Sequence, residues 1–133
     1  IQAKLLLRQL EDFEIFNTHR KDITNIYNSK LSEKMRYKGA NHNTCLLRYP
    51  ILSSQRGLFK NSLRENRVIS GNWYNSPIFP LAWNELSSVG YVLGSCAIAE
   101  SCCRRIFNLP TGINVSKEHA EKIADILNRS LES

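Results

Sequence analysis

The sequence predicts an α+β fold: a long N-terminal helix followed by a small three-stranded, mostly antiparallel sheet covered by helices. Three observations predict it. Residues 1–38 contain neither Gly nor Pro, and their apolar side chains recur every three or four positions. Short runs of strand-like pattern near 44–52, 68–74 and 107–110 are separated by helical stretches. A serine-capped amphipathic segment closes the chain from Ser116 onward.

In the first segment Ala3, Leu6, Leu10, Phe13, Phe16, Ile23, Tyr27 and Leu31 form one apolar face. The spacing suits one long helix, or two joined at a bend near Glu11–Glu14, where acids cluster. Lys38 to Asn43 reads as a turn and a boundary. Residues 1–38 are therefore expected to be a connecting helix, and 44–131 a small α+β domain. In Thr44–Leu52 the residues Cys45, Leu47, Tyr49 and Ile51 alternate onto one face, and Pro50 suits an edge or the end of a strand. Ser53 or Ser54 could cap a helix burying Leu58, Phe59 and Leu63, which Asn66-Arg67 ends. Val68–Tyr74 is expected as a second strand, with Gly71 as a bulge. Residues 75–93 look irregular but are rich in aromatics, which supply burial. A helix over Ser95–Ile106 with Ala97, Ile98 and Cys102 or Cys103 inward, a strand at Phe107–Pro110, and a last helix burying Ile123, Ile126, Leu127 and Leu131 complete the chain.

Bulk properties narrow the function classes. Hydrophobic content of 42% and charged content of 23% are those of a globular domain. No apolar run is long enough to span a membrane. The net charge of +6 comes from 18 Lys and Arg dispersed along the chain, which speaks for a solvated surface rather than nucleic-acid binding. Cys45, Cys96, Cys102 and Cys103 contain no C-x-x-C pair and read as small hydrophobes in a reducing cytosol. The chain has no initiator Met and is expected to be a piece of a longer protein.

Four motifs occur in order: Ile1-Gln2-Ala3 with Gln9-Leu10 and His19-Arg20-Lys21; Leu47-Arg48-Tyr49-Pro50-Ile51-Leu52; Arg67 through Pro77; and Asn108-Leu109-Pro110-Thr111 before the closing helix. Together they cover nearly the whole chain. They resemble the C-terminal part of the DegT/DnrJ/StrS-type sugar aminotransferases, pyridoxal phosphate (PLP) enzymes of fold type I. The resemblance implies a parent protein that aminates a nucleotide-linked keto-sugar, uses PLP, and works as a cytoplasmic homodimer with a large PLP domain on the same polypeptide. It also implies that the Schiff-base lysine and the Asp pairing the pyridinium nitrogen precede Ile1. None of the eight lysines here sits in a segment like the family's lysine site, so this chain alone is expected to bind no cofactor and to be inactive.

The expected substrate-binding residues are Trp73, Tyr74, Asn75 and Ser76: aromatic faces suit a sugar ring, and Asn and Ser can satisfy hydroxyls. No catalytic and no metal-binding residue is expected. Trp73 stands where many relatives carry His. Arg48 could meet a phosphate or carboxylate, although an Arg on the outer face of a strand is more often a surface or interface ion pair; His19, His42 and His119, lacking evident carboxylate partners, read as surface residues. The other reading is a non-catalytic interaction module that keeps the small-domain fold and binds a partner through the apolar face of the first helix.

Overall fold

The computed structural model describes residues 2–39 and 41–132. The N-terminal segment is two helices, α1 (Gln2–Glu11) and α2 (Phe13–Lys30), meeting at Asp12. One unbroken rod to residue 38 is therefore replaced by the bent alternative. Asp12 accepts the first backbone bond of the new helix from Phe16 at 3.1 Å. The second helix stops at Lys30 because Leu31 turns extended.

The core forms where α2 meets the closing helix α5 (Lys117–Glu132). Ile23 and Tyr27 on α2, and Ala120, Ile123, Ala124 and Leu127 on α5, recur at three- and four-residue spacing and are buried. Ala120 and Ala124 leave room for the helices to approach. Asn128 locks them: its side chain accepts from the Ser32 amide at 3.0 Å and donates to the Lys30 carbonyl at 2.8 Å, satisfying groups at the end of α2. Ser116 caps α5 by accepting from the His119 amide at 3.2 Å, as its sequence position predicts.

The sheet has two strands, not three. β1 (Arg48–Leu52) pairs antiparallel with β2 (Ile106–Pro110), Tyr49 opposite Leu109 and Ile51 opposite Phe107. These four side chains point into the core. The strand expected at 68–74 is reduced to a single bridge, Gly71 with Asn108, on the free edge of β2. The reason lies in Asn108. Its backbone exchanges both bonds with Gly71, at 2.8 and 3.2 Å, and its side-chain oxygen then accepts the Trp73 amide at 2.8 Å. A side chain supplies the bond that a strand carbonyl would have supplied, and the chain peels away. Gly71 serves close approach rather than a bulge: a Cβ there would lie 3.1–3.2 Å from Arg48 and Asn108.

Pro50 fits this sheet without loss. It sits opposite Asn108, whose backbone faces Gly71, so the pair is a non-hydrogen-bonded one and no amide is missed. The strand begins only at Arg48. Cys45 and Leu47, expected on one face with the buried Tyr49 and Ile51, are exposed, while Leu46 packs against the core. The Thr111 hydroxyl lies 2.8 and 2.7 Å from the Leu46 and Leu47 carbonyls and holds this approach.

The helix α3 (Arg56–Glu65) buries Phe59 and Leu63, as predicted, but Leu58, also expected inward, is exposed; the helix starts from Gln55 rather than from a Ser53 or Ser54 cap, and Asn66 caps its end. The helix α4 (Ala97–Arg105) buries only Cys103; Ala97 and Ile98, both expected inward, are exposed, Ile98 at 84%. The residues from 75 to 94 are more ordered than expected. A 3-10 turn spans Trp83–Val89, buries Leu86 and ends at Gly90, whose φ of 78° is a glycine conformation.

Glu100 ties that segment down. It accepts from the Gly94 amide at 2.7 Å and from the Tyr91 hydroxyl at 2.9 Å, and these bonds hold its carboxyl below the usual range. A depressed folded-state value adds stability that is complete above the ordinary glutamate value, about 4.3, and is lost as pH falls through the lower folded one. Acid unfolding of wild type and Glu100→Gln, followed by circular dichroism, is expected to show a stability gap at pH 7 that closes toward pH 3.

Candidate functional site

The outer face of the sheet carries the candidate site. Strand alternation that sends Tyr49, Ile51, Phe107 and Leu109 inward sends Arg48 and Asn108 to the other side. The segment leaving Gly71 lies over them. The Arg48 guanidinium sits 4.7 Å from the centre of the Trp73 ring, within cation–π range. Trp73 stacks on Tyr74 at 5.9 Å with the planes 9° apart, and Tyr74 meets Phe79 edge-on at 5.3 Å. Trp73, Tyr74 and Phe79 stay 36%, 53% and 45% exposed, so an aromatic surface is available to a ligand.

The four predicted residues are not equivalent. Trp73 and Tyr74 form the exposed stack. Asn75 contributes its backbone, the carbonyl accepting from the Trp83 indole at 2.8 Å. That indole in turn lies under Arg104, 4.1 Å from its centre. Ser76 is buried and its hydroxyl lies 3.5 Å from the Ile78 carbonyl, so it supports the loop. Two cavities flank the stack. One, about 300 Å³, is lined by Arg20, Arg48 and Trp73 together with the Pro110–Gly112 turn. The other, about 420 Å³ and more apolar, is lined by Tyr74, Pro77, Phe79 and the Cys102 and Cys103 side of α4.

Three residues here have contacts that the sequence did not show. Arg48 stacks on Trp73 instead of joining an ion pair, and its place on the outward face was the available signal. Arg20, noted in the sequence only as part of His19-Arg20-Lys21, lines the same cavity with its Nε buried and unpartnered. Asn108, noted in the sequence as the start of Asn108-Leu109-Pro110-Thr111, is buried and accepts the Trp73 amide. His19 is half-buried and its Nε2 lies 3.1 Å from the Gly112 carbonyl, so it has a structural partner that the sequence did not suggest. Among the described residues, no group of acids, histidines and cysteines is arranged to hold a metal ion. Among the described residues, no helix is long and apolar enough to cross a membrane.

The chain belongs to the DegT/DnrJ/EryC1/StrS aminotransferase family, whose model matches residues 1–128. Among solved structures it is similar to a DegT/DnrJ/EryC1/StrS aminotransferase from Brucella abortus, with 24% identity and a TM-score of 0.77 over 95% of this chain and 34% of that one. It is also similar to DesV of S. venezuelae, solved with a ketimine intermediate, with 19% identity and a TM-score of 0.80 or better (0.83), over 99% of this chain and 36% of that one. A Streptococcus pneumoniae protein described as a sugar aminotransferase, solved in its PMP form, matches at 19% identity and a TM-score of 0.80, over 95% of this chain and 33% of that one. The chain thus spans about a third of the length of these structures. No curated protein sequence matches it.

Proposed function

We propose that this chain is the substrate-facing small domain of a PLP-dependent aminotransferase acting on a nucleotide-linked keto-sugar. Trp73 and Tyr74 would lie along the sugar, and Arg48 and Arg20 beside an anionic part of the substrate. The observation that carries the reading is the exposed Trp73–Tyr74 stack with a cation held against it, beside two open cavities. A second support is α1, none of whose described side chains is buried and which exposes Leu5, Leu6, Leu7 and Leu10. A large PLP domain of the same polypeptide, and a second copy in a cytoplasmic homodimer, would cover that face.

The residues of this chain do not themselves fit the cofactor. PLP needs a lysine beside an acid that holds the ring nitrogen. Lys60 is the lysine whose basicity is lowered, by burial and then by Arg56 and Arg64, and no acid acts on it. The cofactor site is therefore assigned to the large domain, and the chain alone is expected to be inactive.

In the longer polypeptide that carries that domain, Trp73→Ala is expected to raise KM for a nucleotide-linked keto-sugar about tenfold, the equivalent of about 1.4 kcal/mol of lost ring contact, with the PLP absorbance unchanged. An unchanged KM would remove Trp73 from the substrate. The second reading, a non-catalytic module docking through the α1 face, draws on the same exposed leucines. It predicts no transaminase activity in any polypeptide containing this chain.

A further inference from the structure

The helix α3 carries a second feature that the sugar site does not use. Arg56, Lys60 and Arg64 recur at four-residue steps, which places them along one stripe of the helix. They line a groove of about 570 Å³ between α3 and Val68–Ser70. Like charges at this spacing repel, and the effect is visible at Lys60, whose ammonium loses basicity through burial, then through Arg56 and Arg64. No acid offsets it: the salt bridges formed among the described residues involve other cations. What the structure supplies instead is neutral oxygens: the Cys103 carbonyl accepts from Arg56 and the Asn61 side-chain carbonyl from Arg64, each at 3.3 Å. The Asn72 side-chain carbonyl accepts from both Lys60 and Arg56.

Two details leave the groove open to an anion. The Nε of Arg56 is buried without a partner. Gly57, in the first turn and on the groove wall, has open space where a side chain would stand. The three cations span two helical turns, about 12 Å along the axis, which is more than one phosphate group bridges.

We infer that the α3 groove binds a diphosphate anion, with Arg56, Lys60 and Arg64 as its cationic partners. Binding replaces repulsion among three cations by charge-assisted hydrogen bonds. Val68 and Ile69 give the groove an apolar wall, and Ile69 is 87% exposed. A nucleoside diphosphate could lay its base there, whereas free pyrophosphate would use the cations alone.

Calorimetric titration of the chain with inorganic pyrophosphate, with phosphate and sulfate at matched ionic strength as controls, tests this. Pyrophosphate is expected to bind saturably and at least about tenfold more tightly than either control, with Lys60→Gln and Arg64→Gln each weakening it about tenfold. Melting gives a second readout. Lys60→Gln is expected to raise Tm without ligand, because a repulsion is gone, and to abolish the rise that pyrophosphate produces in wild type. Tighter binding of adenosine diphosphate than of pyrophosphate would identify a nucleotide, and equal binding the diphosphate alone. Equal responses to sulfate and pyrophosphate, or pyrophosphate binding unmoved in both variants, would overturn the assignment. The groove needs no cofactor, so this measurement stands whether or not the longer polypeptide is a transaminase.

Discussion

Phe107→Ala is expected to cost about 3–5 kcal/mol of unfolding stability, the range for truncating a buried aromatic. Phe107 is fully buried on the inner face of β2, opposite Ile51 in the register. Its ring lies 6.1 Å from that of Phe59, so it is a contact between the sheet and α3. The void would open where sheet and helix meet, with both faces held by backbone bonds and unable to close on it. Urea unfolding followed by circular dichroism measures the loss as a lower midpoint at unchanged slope. A loss below about 1 kcal/mol would mean that the core collapses onto the space, and that β2 is not its organising strand.

Asn108→Ala should act locally as well as globally. Its side-chain oxygen is the acceptor for the Trp73 amide, and removing it leaves a partly buried donor without a partner, at about 1–3 kcal/mol. The Gly71 bridge uses the Asn108 backbone and survives the change. The expected result is therefore a folded protein with a loosened Trp73–Tyr74 stack. Tryptophan emission should shift to the red, because Trp73 moves off Arg48 toward water, while far-ultraviolet dichroism stays close to that of wild type. In the longer polypeptide the same variant should raise KM more than it lowers kcat. An unshifted spectrum would show that ring stacking alone holds the site.

The elements that follow a simple period were legible in the sequence. Phe59 and Leu63 on α3, the closing helix with Ser116 as cap, and Tyr49 and Ile51 on β1 fell where spacing put them. The bend within the first helical segment was legible as an alternative, through its cluster of acids. What failed did so where one contact overrides a pattern. Val68–Tyr74 has strand composition, but Asn108 claims the Trp73 amide with its side chain, and no local reading can see a residue 35 positions away. Ile98 was assigned inward because it is apolar, yet α4 leaves it exposed and buries Cys103. At the site, Trp73 and Tyr74 were readable as exposed aromatics after a strand-like run, while the buried state of Ser76 and the backbone role of Asn75 depend on how the loop folds. Arg20 and Arg48 are far apart in sequence and meet at one cavity only through the fold.

Pro50 has a consequence beyond its own pairing. Because the position opposite Asn108 turns its backbone away from β2, the ring nitrogen of Pro50 lies on the open rim of β1. A stray strand arriving at that rim would find a missing rung, since proline has no hydrogen to offer. The residue that costs nothing within the sheet thus discourages sticking between neighbouring molecules, and a Pro50→Val chain would regain the rung.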